Sequence, residues 1–232
     1  MSLTLWQSRF ESWFQLNWIH DDGAHDIAHL RRVWMSAQRI MAGSEANPLV
    51  VLTACYFQDV VNLPKNHPER HLASTYAAKE TQRILQQDFI DFPAGLIDAV
   101  AHAVKAHSFS AAITPETLEA KIVQDADRLE SLGAIGLARV FYTAGALNRP
   151  LFDNDDPLGK TRELNDIQWT LDHFQKKLLR LPDSMQTAAG RTLAEYNADF
   201  LVRYMAKLCA ELQGNLTSLD ESVLRDFSPL NA

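Results

Sequence analysis

Apolar side chains recur along this chain at spacings of three and four, and nothing shows the sustained alternation of a half-buried strand. Leu5/Trp6, Phe10, Trp13/Phe14 and Trp18 form a first helical stripe. A second segment starts near His25 and sets Leu30, Val33, Trp34, Ala37 and Met41 on one face. Glycine and proline around 43–48 end it, and Pro48 suits the first turn of the next helix. Residues 49–61 are apolar nearly all round, with VVLTACYFQDVV from Val50 onward. Periodicity alone would allow a buried strand there; the length and the helical neighbours predict a buried central helix.

Two prolines in LPKNHPER (63–70) break that segment, and a polar-faced helix follows from about His71 to Gln87. Pro93 opens another helix with the stripe Ile97, Val100/Ala101 and Val104. Thr114-Pro115 reads as the cap and first turn of the next, whose stripe is Ile122, Ala126 and Leu129. Gly133 and Gly136 follow, where helices are expected to approach closely. The stretch 145–164 is rich in Asn, Asp, Pro and Gly and reads as a surface loop or lid bordering a binding site. Ile167, Leu171, Phe174, Leu178 and Leu181 predict a long helix ending at Pro182, and a final helix spans roughly 183–213. The tail 214–232 carries a short amphipathic stretch, 219–227, suited to pack back or to contact another subunit, so a homo-oligomer stays open. With no repeat, low-complexity tract or linker, the expectation is one all-α domain over 1–232.

Composition narrows the function. Among 232 residues, 47% are hydrophobic, enough for a sizeable core. The net charge of −7 leaves no basic surplus to neutralise a nucleic-acid duplex. No apolar run approaches the roughly 20 residues of a membrane span. The N-terminus lacks a basic region followed by an uninterrupted apolar stretch. Cys55 and Cys209 both lie in apolar helical patterns, which favours reduced thiols and a cytoplasmic protein.

Three positions carry candidate chemistry. His29 lies at the margin of the Leu30/Val33/Ala37 stripe, where an imidazole needs a partner; a backbone or carboxylate hydrogen bond would suffice. Gln58 and Asp59 follow the most apolar segment, and a carboxylate there must be paired, bound to a cation, or reach water at a helix end. Gln124-Asp125-Ala126-Asp127-Arg128-Leu129-Glu130 puts acids inside an amphipathic helix, readable alone as a solvated charged face. Together they offer imidazole and carboxylate from three helices, a donor set for Mn²⁺, Fe²⁺ or Mg²⁺ in a bundle core.

In order and spacing, AHDIAHLRRV, ACYFQDVVNLPKNHPER, AHAVKAHSFS, KIVQDADRLESLGAIGLARV and LDHFQKKLLRLPDSMQTAAG resemble the HD-domain metal-dependent phosphohydrolases, and within them the small bacterial branch typified by YedJ- and YpgQ-like proteins. The family pattern is His…His-Asp…Asp. The resemblance implies an HD-type helical bundle with His29, Asp59 and Asp127 as metal ligands, and Gln58 standing where the pattern has histidine. Glutamine offers a neutral carbonyl oxygen, adequate for Mg²⁺ or Ca²⁺ and a poorer donor to transition metals.

The implied cofactor is a divalent ion (Mn²⁺, Mg²⁺, Ni²⁺, Co²⁺ or Fe²⁺). The implied reaction is hydrolysis of a phosphate ester or anhydride, with a nucleotide as the small phosphorylated substrate. Asp59 would also align the nucleophile. Lys65 and Asn66 would grip phosphate oxygens, although Lys65 also reads as a solvated loop lysine. His102 and His107 would bind phosphate, donate a proton or complete a second metal position; His107 could equally serve a helix C-terminus. Arg128 and Arg32 would support the acids or form surface pairs, and Arg128 would also bind substrate. His25, one turn before His29, is left out of the ligand set. Gln58 also motivates the alternative, a catalytically silent HD module that binds a nucleotide or a partner protein.

Overall fold

The computed structural model describes residues 1–18, 26–61, 63, 67–108 and 111–231, and all regular structure among them is helical. Lys65, Asn66 and His25 lie outside the described residues. The chain divides into two compact units, Met1–Asp127 and Arg128–Ala232.

In the first unit, α1 (Leu3–Asn17) is capped by Ser2 and buries Trp6, Phe10 and Phe14. Helix α2 (Ile27–Met41) is capped by Asp26 and buries His29, Leu30, Val33, Trp34, Ala37 and Ile40. The segment that was apolar all round forms α3 (Pro48–Phe57), capped by Asn47 with Pro48 in its first turn. Every residue from Val50 to Phe57 is buried, as a helix without a polar face requires. Covering comes from α1, α2, α4 (Ala73–Gln87) and α5 (Ile97–Ala106), which all pack on α3. Rings knit α1 to α3, with Phe57 lying 5.2 Å from Phe10 and 5.0 Å from Phe14 between centroids.

Helix α6 (Leu118–Leu129) begins later than the sequence suggested. Thr117, rather than Thr114, provides the start: its Oγ1 accepts the Ala120 N–H at 3.2 Å. The acid-rich run in α6 is no solvated face, because Gln124, Asp125 and Glu130 are buried.

The second unit holds α7 (Gly133–Ala146), α8 (Asp172–Lys176), α9 (Ala188–Leu212) and α10 (Glu221–Phe227). The expected close approach at Gly133 is present: a Cβ there would meet Asn197 Oδ1 of α9 at 2.8 Å. Its φ of +64° also suits glycine. The long helix expected over 167–181 is replaced by α8 and short 3-10 turns at Leu178–Arg180 and Pro182–Ser184. Here the periodic stripe misled. The N–H groups of Thr170 and Leu171 donate to the Pro150 and Leu151 carbonyls at 3.1 and 2.9 Å instead of to a preceding helical turn. Leu171, Phe174, Leu178 and Leu181 are nonetheless buried, while Ile167 is exposed.

The irregular 145–164 stretch is pinned rather than loose. Arg162 forks onto the fully buried Asp172 at 2.6 and 2.9 Å. The tail packs back: Asp220 N–H donates to Ala206 O at 3.0 Å, Ser228 Oγ donates to Asp199 Oδ1 at 2.6 Å, and Val223 is buried.

Candidate metal centre

The first unit brings three of the residues singled out above to one place. His29 sits in the first turn of α2, where the Asp26 carboxylate accepts its N–H at 2.9 Å and fixes the start of the helix. Asp59 lies in the turn after α3, shaped by Gln58 N–H to Ala54 O at 2.9 Å and Val60 N–H to Phe57 O at 3.1 Å. Asp127 is in the last turn of α6. His29 Nε2 stands 3.5 Å from Asp59 Oδ2 and 3.5 Å from Asp127 Oδ1. One ligand atom from each residue lies within 4.8 Å of the other two.

Such a grouping matches what a cation asks of its ligands. Bonds of about 2.0–2.2 Å, opened to tetrahedral or octahedral angles, put neighbouring donor atoms roughly 3.0–3.5 Å apart. The imidazole is wholly buried, while the Asp59 and Asp127 side chains are 17% and 28% exposed. The centre is therefore closed on the histidine side and open along its carboxylates. Burial pushes the Asp127 carboxyl up, but the neighbouring imidazoles of His29 and His107 outweigh it. The group is held below the usual aspartate range and remains a carboxylate. The Cys55 thiol beneath the site is pushed well up, first by burial and then by the Asp127 charge, and so stays protonated.

Gln58 is fully buried, and its Nε2 donates to Asp127 Oδ1 at 3.0 Å. Its carbonyl Oε1 is buried without a hydrogen-bond partner. The amide therefore faces Asp127 with its N–H, and its unpartnered carbonyl oxygen would meet Asp127 only after the amide turned over.

His107, just past the end of α5, approaches from another direction. Its Nδ1 lies 2.6 Å from the Val104 carbonyl, which can only accept, so the ring proton sits there. That leaves Nε2 facing Asp59 Oδ1 at 3.7 Å, too far for a hydrogen bond and close enough for a shared ligand or proton. The two oxygens of Asp59 thus look toward two different imidazoles.

The other candidates part company. His102 is half-buried, and its Nε2 accepts the Glu116 N–H at 3.0 Å, a role in holding the α5–α6 connection. Arg128 donates to the Ser184 carbonyl within the second unit. One contributor went unremarked in the sequence. Glu11 of α1 accepts a 2.6 Å hydrogen bond from the Tyr56 hydroxyl of α3 and two, at 2.9 and 2.6 Å, from Arg31 of α2. It ties together the helices that carry His29 and lead into Asp59. The available signal was an acid immediately after Phe10, inside an aromatic stripe.

Residues 26–132 match the HD domain. The YpgQ protein of Bacillus subtilis (strain 168) is 30% identical over 210 residues, which are 89% of this chain and 93% of that protein. The chain belongs to the HD-domain family. The expected resemblance and the all-α HD-type fold are thereby confirmed. A crystal structure of B. subtilis YpgQ in complex with ADP superposes with a TM-score of 0.67 at 28% identity, covering 95% of this chain and all of that one (100%). An HD-superfamily hydrolase from Bacillus thuringiensis gives a TM-score of 0.66 at 26% identity, covering 89% of this chain and 94% of that one. The HD domain thus carries a hydrolase fold whose members in general depend on divalent metal ions, and this chain has a site suited to one. Among the described residues, no helix is long and apolar enough to cross a membrane.

Proposed function

We propose that this chain is a metal-dependent phosphohydrolase that cleaves a phosphate ester or anhydride, with a nucleotide as substrate. The observation that carries the reading is the convergence of His29, Asp59 and Asp127 within 4.8 Å, from α2, the turn after α3, and α6. The donor chemistry fits a divalent cation: one imidazole, two carboxylates and a nearby unpartnered amide carbonyl. Such an ion, when bound, supplies charge that polarises phosphoryl oxygens and lowers the pKa of water.

The chain's own residues would do the rest. His29, Asp59 and Asp127 hold the ion, with Gln58 beside them. The second oxygen of Asp59, directed at His107, orients the attacking water and accepts its hydrogen bond. His107, with its proton on Nδ1 and Nε2 toward the site, places a proton carrier beside the reacting phosphate. Lys65 and Asn66 are retained as phosphate-gripping residues on the strength of the sequence. The ADP complex of the B. subtilis relative supports a nucleotide as the substrate class. Elemental analysis of the purified protein, followed by release of phosphate or pyrophosphate from a nucleotide panel with Mn²⁺, Mg²⁺, Ni²⁺ and Co²⁺, tests this. Turnover abolished by Asp59→Ala supports it, and metal-independent or absent turnover refutes it.

A second reading has its own observation. Gln58 spends its amide N–H on Asp127, which favours a module that binds a nucleotide without hydrolysing it. If Gln58→His creates hydrolysis absent from the parent while nucleotide affinity is unchanged, the natural chain is the binder.

A further inference from the structure

We infer that Gln58 is a reversible gate on the metal centre, turning its amide by half a rotation when a cation enters, and that this tunes the site toward hard, oxygen-seeking ions. The inference rests on the metal-centre reading above and goes beyond it to ion selectivity. Its basis is the asymmetry of one side chain. Gln58 is wholly buried, with Nε2 satisfied by Asp127 Oδ1 at 3.0 Å and Oε1 satisfied by nothing. The Asp127 carboxylate sets this orientation, because it only accepts and the amide must turn its N–H toward it.

Oxygen and nitrogen of an amide are nearly isosteric, so a half-turn of the terminal torsion exchanges them without moving the backbone. Oε1 would then stand where Nε2 now donates, against Asp127 Oδ1. Two oxygens so placed repel unless a cation lies between them, and with a cation there they become adjacent ligands. The Gln58–Asp127 hydrogen bond is thus one that cation entry must break, and the turned amide offers a carbonyl where the family pattern has an imidazole. The donor set becomes one nitrogen against three oxygens. Imidazole nitrogen gives the late transition ions their advantage, so its replacement by a neutral oxygen removes part of the preference for Ni²⁺ and Co²⁺ over Mg²⁺ and Mn²⁺.

The experiment compares metal affinity of the intact protein and Gln58→His by calorimetric titration with Mg²⁺, Mn²⁺, Co²⁺ and Ni²⁺. In parallel, the assigned Gln58 side-chain amide resonances of the parent are followed during Mg²⁺ titration. The expected result is a rise of about 10–100-fold in the Ni²⁺-to-Mg²⁺ affinity ratio for Gln58→His, with both parent amide protons shifting on loading. The parent measurement stands even where the variant fails to fold. Mg²⁺ binding with an unmoved Gln58 amide, or a ratio unchanged by the substitution, overturns the gate and leaves the metal centre intact. Failure of both proteins to bind any of the four ions overturns the metal centre itself, and the gate with it.

Discussion

The Tyr56 hydroxyl, wholly buried on α3, donates a 2.6 Å hydrogen bond to Glu11 Oε1 on α1. The same carboxylate receives Arg31 of α2 at 2.9 and 2.6 Å. Two helices that build the metal centre are thus joined through a group that makes no contact with it. Tyr56→Phe removes one buried hydrogen bond and should destabilise the protein by about 1–2 kcal/mol. Glu11→Ala strands the buried Tyr56 hydroxyl, while the 45% exposed Arg31 turns to water, and should cost about 1–3 kcal/mol. Urea denaturation of both variants measures this. Equal stability of Glu11→Ala and the parent would show that the network is ornamental.

Glu11 also predicts a pH window. Its Arg31 hydrogen bonds, with help from Tyr56 and Gln7 and against the opposing effect of burial, lower its pKa from 4.5 to about 2. The folded state therefore binds fewer protons than the unfolded state between these values, and stability rises with pH across them. The contribution is complete above about pH 4.5 and is lost as pH falls toward 2. Glu11→Gln should flatten the stability–pH curve in that window relative to the parent. Parallel curves in urea titrations from pH 2.5 to 5 would contradict the assignment.

Metal removal should be visible without any substrate. An ion that binds only the folded chain at a hundredfold excess over its Kd stabilises by about 2.7 kcal/mol, or about 5–10 °C in Tm for a protein of this size. Chelation should lower the Tm of the parent by that amount and leave His29→Ala and Asp127→Asn unmoved. A chelator shift that persists in both variants would place the ion elsewhere.

In the second unit, Asp172 is fully buried and held by the Arg162 fork and by the Asn165 N–H at 2.6 Å. Arg162→Ala leaves that carboxylate uncompensated, and about 3–5 kcal/mol of destabilisation is expected. Because the contact pins the irregular stretch 145–164 to α8, limited proteolysis should cut within that stretch first. Uniform cutting along the chain would argue against such a local staple.

Secondary structure was legible where one physical cause dominated. Val50–Phe57 has no polar face, so burial on every side followed from composition alone. Pro48 and Gly133 likewise announced their positions through backbone chemistry. The stripe from Ile167 to Leu181 did not translate into a helix, because periodicity reports which residues are buried and is silent on what their backbone groups bond to. There the partners are the carbonyls of Pro150 and Leu151, some twenty residues earlier.

For the site, residue types pointed to His29, to Gln58-Asp59 and to the acidic run 124–130, and the family resemblance selected Asp127 within that run. Three-dimensional packing settled the rest. It sent the Nε2 of His102 to the Glu116 amide, whereas the Nδ1 of His107 bonds the Val104 carbonyl of its own helix, the C-terminal role the sequence had offered it. It also turned the Gln58 amide toward Asp127 and recruited Glu11 behind α3. Those outcomes depend on where a side chain finds its hydrogen-bond partner. For Gln58 and Glu11 the partners lie 69 and 45 residues away and meet only once the helices have packed.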